Sequence, residues 1–550
     1  MTEMTGGQAL VQSLKVEGIS TIFGLPGIQL DYAVDALWEE RDSIDVIHTR
    51  HEQATAYMAD GFARTTGEIG TCLVVPGPGL LNAAAGLATA YACSSPVLCI
   101  AGQVQSDAIG AGRGVLHEIN DQLETIASVC KHVERAMTPQ EIPPMVHRAA
   151  RELRTGRPRP VEIEVPPDVL ERVADVTLLE PEVWTREEAD PDLLERAAEL
   201  LGKAERPLIV AGGGVLSSAA WDELRELAEL LEAPVVMTDN GRGSLSERNY
   251  LAQPLPAARV LIPGADAVLA VGTRFLLGPQ AAGMELPDGQ RFVQIDIDEQ
   301  EVGRNRSPDL AVVGDAKHAL GELVRRVPRH NRSRESREPE LTAITAARRE
   351  RLAQMDVQEG YARAIRDELP DDGIFVNEST QVGYFSRQGF PIYEPRTYLN
   401  SGYQGTLGYG FATALGAQVG NPHRKVVSIN GDGGFMYNVQ ELSTMARFEI
   451  PLVAIVFNDN AFGNVRRIQQ ERMGEHPIAS DLLNPDFVQL AELFGVAGRR
   501  ATDPDELRAA LREGFASDRP MLIEVPMPQA RELPSVFPMP VAPPRPVLDR

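Results

Sequence analysis

The chain has 550 residues, of which 43% are hydrophobic and 24% are charged, and its formal net charge at pH 7 is −25. This length is too great for one hydrophobic core, so we expect about three domains. The acidic balance argues against nucleic acids and anionic membrane surfaces as partners, because their phosphates would be repelled. The apolar runs are too short to span a bilayer and no secretory signal pattern opens the chain, so we expect a cytoplasmic protein without a membrane partner. The four cysteines have no metal-type spacing and are expected to be buried thiols.

The first segment, residues 1–172, alternates strand-like and helix-like runs. "GTCLVVPGPG" (70–79) and "PVEIEVP" (160–166) predict strands, and "HEQATAYMADGFARTTG" (51–67) predicts a helix. Further predicted strands are "STIFGLPG" (20–27), "DVIHTR" (45–50) and "SPVLCIAG" (95–102). We assign this segment to one domain.

The same alternation continues to residue 530. A second domain, residues 186–328, has predicted strands at 206–214, 233–241, 266–275 and 291–298. The charged stretch 329–350 predicts a solvated linker or the start of a surface helix. A third domain, residues 351–530, has predicted strands at 372–380, 396–402, 425–434, 450–460 and 520–526. Residues 531–550 are rich in proline and predict an extended C-terminal tail.

This alternation predicts the α/β class, with three doubly wound domains built on mostly parallel sheets. The first and third segments look like distant copies, because each ends with "IEVP", at 163–166 and at 523–526. Both also place glycine-rich turns where a cofactor can lie against strand ends.

The strongest chemical signal is "NGDGG" (430–434) together with "NDNAFG" (458–463). A helical and then a strand-like run separate Asp432 from Asp459, so both loops are expected at the carboxyl edge of adjacent parallel strands. A cation such as Mg²⁺ prefers oxygen ligands and a phosphate partner. The side chain of Asp432, that of Asp459 or Asn458, and a carbonyl near Ala461 are the candidate ligands. Taken alone, a "GDG" is more often an ordinary turn.

The spacing of these two runs resembles the thiamine-diphosphate-binding motif. Along nearly its whole length the chain is similar to the acetolactate synthase and benzoylformate decarboxylase family. The resemblance implies a pyrimidine-binding domain, a central domain and a diphosphate-binding domain, with thiamine diphosphate and Mg²⁺ as cofactors. It also implies a homo-oligomer, a dimer of active-site pairs or a tetramer, whose active site lies between two subunits. One departure is Asp459, where the family usually has Asn.

The resemblance also implies roles for individual residues. "RHEQATAYMADGFAR" (50–64) resembles the segment with the activating glutamate, which assigns that role to Glu52; an exposed residue at a helix start is the alternative. Gly405 and Leu407 match the residues that hold the aminopyrimidine and bend the cofactor, and Ser379 and Thr380 match donors to the diphosphate. The remaining predicted cofactor contacts are Pro26, Gly77, Asn82, Gly431, Gly433, Gly434, Phe462, Gly463 and Asn464.

The residues that would select the substrate match neither group. Ile28 and Val75 stand where benzoylformate decarboxylase has its proton-relay Ser and His, and Ile468 stands where acetolactate synthases have a Trp. His117 and Gln404 are the candidate pocket groups, although His117 can equally be a hydrogen-bonded surface residue. The central domain resembles a degenerate flavin domain, so bound FAD is possible but not expected.

We therefore expect a thiamine-diphosphate- and Mg²⁺-dependent decarboxylase or carboligase acting on a 2-oxoacid or ketone. A C–C lyase or hydrolase of the same family, acting without decarboxylation on a hydroxyketone or diketone, is one alternative. A flavin or nicotinamide oxidoreductase is an alternative from another class.

Overall fold

A computed structural model describes residues 1–275 and 289–534. It contains three six-stranded sheets, and every pair of neighbouring strands within them runs parallel. The predicted α/β class and the three parallel-sheet domains are therefore confirmed. No helix in the described part of the chain is long and apolar enough to cross a membrane.

The first domain has a parallel sheet with helices on both faces. Its elements are β1 Thr2–Thr5, α1 Gly6–Val16, β2 Thr21–Gly24, α2 Asp31–Glu39, β3 Asp45–His48, α3 Glu52–Thr66, β4 Gly70–Val74, α4 Pro78–Cys93, β5 Val97–Gly102, α5 Gln122–Ile126, β6 His132–Arg135, α6 Ile142–Arg154, β7 Val161–Val165, α7 Pro167–Glu171 and β8 Val173–Val176. The sheet order is β3-β2-β4-β5-β7-β6. β1 pairs antiparallel with β8, which lies beyond the predicted boundary at residue 172.

The central domain repeats this architecture. Its elements are α8 Pro191–Lys203, β9 Pro207–Ala211, α9 Gly213–Ser217, α10 Trp221–Leu231, β10 Val235–Met237, β11 Ala252–Pro254, α11 Ala258–Leu261, β12 Ala267–Val271, β13 Arg291–Asp296, β14 Leu310–Val313 and α12 Ala316–Arg326. The sheet order is β11-β10-β9-β12-β13-β14.

The third domain begins within the stretch predicted as a linker, where α13 occupies residues 338–352. Its elements are α13 Glu338–Leu352, α14 Asp356–Glu368, β15 Ile374–Asn377, α15 Gln381–Gly389, β16 Tyr398–Leu399, α16 Tyr409–Gly420, β17 Val426–Gly431, α17 Asp432–Phe435, α18 Leu442–Arg447, β18 Val453–Asn458, α19 Gly463–Arg472, α20 Phe487–Leu493, β19 Ala497–Arg500, α21 Pro504–Ser517 and β20 Met521–Pro526. The sheet order is β16-β15-β17-β18-β20-β19. The predicted tail lies outside the described residues from 535 onward.

The first and third domains have the same strand order, as expected for distant copies. They pack against each other through α3 and α16 and share one apolar core, which contains Cys72 and Cys99 on one side and Val426 and Val456 on the other. The helices cross at two glycines. A methyl group at Gly61 would overlap a backbone carbonyl of α16, and one at Gly416 would overlap a backbone carbonyl of α3.

Candidate active site

Two loops of the third domain bring Asp432 and Asp459 to one edge of the sheet. β17 and β18 are neighbours in register, and Asp432 and Asp459 are the residues that directly follow them. Asp432 is almost fully buried. Burial raises the pKa of Asp432, and burial together with the nearby Asp432 carboxylate raises the pKa of Asp459 to about 7. A buried carboxylate, Asp432, and a half-buried one, Asp459, at this edge form a site that a cation would stabilise.

Side-chain oxygens surround one nitrogen at this edge. Nδ2 of Asn484 donates to Oδ2 of Asp432 at 2.6 Å and to Oδ1 of Asn458 at 3.0 Å, and it lies 3.4 Å from Oδ1 of Asn460. Ala461 pairs with Asp481 in an isolated antiparallel bridge that holds the loop after β18. The side-chain oxygens at this edge are therefore of the ligand type that a hard cation prefers. Asn484 was absent from the sequence prediction, because no motif marks it.

Glycines allow the backbone to approach closely around these carboxylates. A side chain at Gly433 would collide with the ring of Phe462, and one at Gly463 would collide with the carboxylate of Asp459. Asn464 follows in the first turn of α19, and its Oδ1 accepts a hydrogen bond from Arg467 at 2.8 Å. The loops after β17 and β18 thus form a cradle with little side-chain bulk.

Ser379 and Thr380 lie beside this cradle, at the end of β15. A methyl group at Gly431 would sit 3.6 Å from Cγ2 of Thr380. Oγ1 of Thr380 accepts the N–H of Gly383 at 2.8 Å, which caps α15. The hydroxyl hydrogen of Thr380 can still donate to a ligand, so a cap and a binding role are compatible.

A fully buried carboxyl, Glu378, joins the cradle to the loop before α16. Its two oxygens accept the N–H groups of Gly408 at 3.0 Å and Gly410 at 3.2 Å, and a side chain at Gly434 would overlap it. Burial raises the pKa of Glu378 to about 7. The sequence prediction missed this residue, although a carboxyl directly after a buried strand and directly before the predicted donor Ser379 was a usable signal.

The loop before α16 carries the other predicted cofactor contacts of the third domain. Gly405 has a φ of +60°, which favours glycine, and both it and Gln404 are exposed. Leu407 is half-buried. Nδ2 of Asn438 donates to the carbonyl of Gly408 at 2.6 Å.

Glu52 opens α3 in the first domain and is half-buried. Nδ2 of Asn82 donates to its Oε2 at 3.0 Å, and Gly79 packs beside its other oxygen. Pro26 is exposed after β2. Gly77 has a φ of +58°, and a side chain there would overlap the carbonyl of His117. The predicted residues of the first domain thus meet at the carboxyl edge of its sheet.

His117 lies in a strained turn over this edge, because its φ of +69° is unusual for a residue with a side chain. Its Nδ1 lies 3.2 Å from Oε1 of the buried Gln29, and Nε2 of Gln29 donates to the carbonyl of Leu116 at 3.2 Å. Gln29 was not predicted; it follows Ile28, which the sequence did single out.

The central glycine-rich turn is explained by packing. Gly212 and Gly214 lie against the backbone of Gly272 so closely that a methyl group on either would overlap it. These glycines allow the turn after β9 to pack closely on the turn after β12. Their presence is therefore accounted for without a bound nucleotide.

Three family models match the chain in the order of its domains. They are described as thiamine pyrophosphate enzyme, N-terminal TPP binding domain (residues 4–125), central domain (residues 194–323) and C-terminal TPP binding domain (residues 379–525). A probable acetolactate synthase large subunit of Methanocaldococcus jannaschii is 35% identical, over 97% of this chain and 94% of the relative. The chain belongs to the thiamine-diphosphate-dependent enzymes of the acetolactate synthase type.

Two other relatives of this enzyme are similar over nearly the same length, and one of them is named for a different reaction. A probable 2-ketoarginine decarboxylase of Pseudomonas aeruginosa is 35% identical, over 95% of this chain and 94% of the relative. Acetolactate synthase isozyme 3 of Escherichia coli is 30% identical in its large subunit, over 94% of this chain and 93% of the relative. Thiamine diphosphate fits the geometry described above, since the glycine cradle and the buried carboxylates provide space for a diphosphate and ligands for a cation.

Proposed function

We propose that this enzyme uses thiamine diphosphate with Mg²⁺ to decarboxylate 2-oxoacids and to ligate the remaining acyl group to a carbonyl acceptor. When bound, thiamine diphosphate supplies a nucleophilic carbon that attacks the keto group of the substrate. The observation that carries the proposal is the pair of half-sites, an oxygen-rich glycine cradle in the third domain and Glu52 in the first. The relatives named above act, by their names, in acetolactate synthesis and 2-ketoarginine decarboxylation.

Residues of the third domain would hold the cofactor. Asp432, Asp459 and the carbonyl of Ala461 would be the ligands of Mg²⁺. Gly431, Gly433, Gly434 and the first turn of α19, residues 462–464, would approach the diphosphate, with Ser379 and Thr380 as donors. The carbonyl of Gly405 would accept from the aminopyrimidine, and Leu407 would support its bent shape.

Glu52 would exchange a proton with a ring nitrogen of the cofactor. The bond from Asn82 fixes one carboxylate oxygen of Glu52, and the other oxygen would be the one that meets the ring nitrogen. In a water-poor site such an acid transfers a proton efficiently when it is held in one orientation. His117 and Gln404 would be the polar groups that meet the substrate.

A second copy of the chain would complete the site. In the part of the chain that the structure describes, Glu52 is hydrogen-bonded by its own domain and not by the Asp432 group. Both half-sites also expose large apolar side chains. These are Ile28 (67% exposed) and Leu116 (63%) in the first domain and Tyr403 (54%) and Tyr437 (51%) in the third. Such patches are typical of surfaces that a partner covers.

Four free cysteines agree with a reducing compartment such as the cytoplasm.

The reaction is tested by incubating the protein with thiamine diphosphate, Mg²⁺ and a panel of 2-oxoacids. CO₂ release and ligation products would be followed by mass spectrometry. We expect turnover with at least one 2-oxoacid, and Glu52→Gln should lower it by about 100-fold or more. Glu68→Gln changes an exposed glutamate just beyond α3 and is the matched control. Full activity in Glu52→Gln would refute the role of this residue.

The cation site is tested by titrating Mg²⁺ in the presence of thiamine diphosphate. Asp459→Asn restores the residue type usual in the family and should keep affinity within about threefold. Asp459→Ala removes the ligand and should weaken affinity by about 100-fold. Asp505→Ala, at a carboxyl that is 97% exposed, is the control. Equal affinities for the Ala variant and the parent would show that Asp459 is no ligand.

A further inference from the structure

Glu441 is a buried carboxylate that none of the roles above uses. It lies in the third domain, directly before α18, and is fully buried. Its carboxylate oxygens accept the peptide N–H groups of Arg50 and His51 of the first domain, each at 3.1 Å. The hydroxyl of Thr444 donates to it at 2.6 Å. Glu441 therefore joins two domains through a carboxylate that is itself fully buried.

The groups that Glu441 holds directly precede Glu52. Arg50 and His51 end the loop before α3, and His51 is the capping residue of that helix. Peptide N–H groups at a helix start lack partners within the helix, and a carboxylate is a favourable acceptor for them. Because both peptides are fixed from the third domain, the direction in which α3 begins depends on the position of Glu441.

The other end of the same segment is the cation loop. Between Asp432 and Glu441, four backbone hydrogen bonds of 3.0–3.3 Å close successive turns. Asn438, in the middle, holds the carbonyl of Gly408 in the loop before α16. A short hydrogen-bonded segment thus connects Asp432, the loop before α16 and the start of α3.

We propose that Glu441 is a positioning residue that transmits occupancy of the diphosphate cradle to the start of α3 and so orients Glu52. The inference rests on the proposed function, in which Asp432 binds the cofactor through a cation and Glu52 activates it. In the proposed dimer, Asp432 and Glu52 of one chain belong to different active sites. The segment from Asp432 to Glu441 therefore couples the two sites of the dimer.

Hydrogen–deuterium exchange measures this coupling without turnover. In the full-length protein, adding thiamine diphosphate and Mg²⁺ should slow exchange in a peptide covering residues 48–54. In Glu441→Ala this slowing should be reduced at residues 50 and 51 to the part that contact of Glu52 with the cofactor provides, while cofactor affinity and KM stay within about threefold. Since a displaced catalytic group costs up to about 100-fold, kcat should fall by about 10- to 100-fold.

Glu441→Gln keeps the size of the side chain and should restore part of the protection, because the hydroxyl of Thr444 can reverse to accept from the amide. This variant also serves if Glu441→Ala does not fold. Glu449→Gln, at an exposed glutamate that follows α18, is the control. Unchanged exchange in both Glu441 variants would overturn the proposal. A loss of cofactor affinity that matches the loss of kcat would also overturn it, by assigning Glu441 to the cradle itself. Absence of turnover in the parent protein would refute the proposed function but would leave the exchange result readable.

Discussion

The first and third domains share a scaffold and differ in what their loops carry. In both, the last two strands of the sheet bring a buried glutamate against an arginine in register, Glu164 with Arg135 and Glu524 with Arg500. In the third domain Glu524 also accepts from Asn458, which directly precedes Asp459. In the first domain Glu164 accepts from Gln103 and Gln122, and Oε1 of Gln122 accepts the N–H of Gly77, so Glu164 is connected to a glycine turn and not to a carboxylate pair. The common frame is structural, and the loops decide where chemistry occurs.

Charge is also distributed differently between the two domains. The third domain buries several carboxyls near its glycine loops, and burial raises the pKa of Asp432, Asp459 and Glu378. The first domain contributes Glu52, which is half-buried. The first domain also buries Asp60 and Glu164, but these are paired with Arg64 and Arg135. Asp432 and Asp459 instead lie beside each other, and carboxylates held in this way are costly without a cation, which is why we propose the cation site there.

The largest expected effect concerns the crossing at which the two domains meet. Gly61→Ala and Gly416→Ala each place a methyl group into the backbone of the opposite helix. Each should cost about 3 kcal/mol or more, and each should strongly reduce soluble folded protein. Gly321→Ala, in α12 with its nearest neighbour atom at 3.8 Å, is the control and should stabilise by about 0.5–1 kcal/mol. Thermal unfolding measures all three. A large effect at only one of the two crossing glycines would show that the two domains do not contribute equally to the helix crossing.

The second prediction separates the contribution of the two buried glutamates to stability from their contribution to cation binding. Glu164→Ala leaves the partly buried Arg135 without its carboxylate and should cost about 3–5 kcal/mol. Glu524→Ala should cost only about 1–2 kcal/mol, because Arg500 is more exposed and keeps Asp486.

The same two variants should also differ in Mg²⁺ affinity at the proposed cation site. Loss of Glu524 removes the acceptor of Asn458 and should weaken Mg²⁺ binding about tenfold, whereas Glu164→Ala should leave it unchanged. Urea unfolding and Mg²⁺ titration give the two readouts. Equal cation affinities for both variants would contradict the functional difference between the domains.

The last prediction concerns the pH dependence of stability through Glu378. Its pKa is about 7 when folded and 4.5 in the unfolded reference, so the folded protein binds more protons between these values. Stability should therefore fall as the pH rises from 4.5 to 7, by up to about 3 kcal/mol, and then level off. Glu378→Gln removes this contribution. The difference in unfolding temperature between variant and parent should shift in favour of the variant as the pH rises; a constant difference would contradict the prediction.

The sequence predicted the fold where strands are buried on both faces. All the inner strands of the three sheets were identified, because a parallel strand covered by helices reads as an apolar run. The missed strands β6, β11, β14 and β19 lie at sheet edges, and β1 and β8, which were also missed, form a two-stranded sheet of their own. β6 reads "HVER" and β19 reads "AGRR", so their polar side chains hide the pattern. The helical run predicted between Asp432 and Asp459 is divided into a 3-10 turn at residues 439–441 and α18.

The candidate site was predictable where residues belong to a spaced motif. Asp432, Asp459 and the cradle glycines were predicted in this way, and Glu52 was predicted from the resemblance of its segment to the family; their roles stay predictions. Glu378, Asn484 and Glu441 were not, because their importance comes from contacts with residues far away in the sequence. Glu441, for example, holds Arg50 across 391 positions. Single-sequence patterns report local periodicity and cannot show such pairings.

The shared core of α3 and α16 has a consequence for synthesis on the ribosome. The two helices are separated by about 350 residues of chain, so at about 5–20 residues per second α16 emerges roughly 20–70 seconds after α3. During that interval the first domain, even if already folded, displays the apolar face that α16 later covers. A nascent chain of this enzyme is therefore vulnerable to aggregation for most of its translation, and a fragment ending before α16 should need a chaperone to stay soluble.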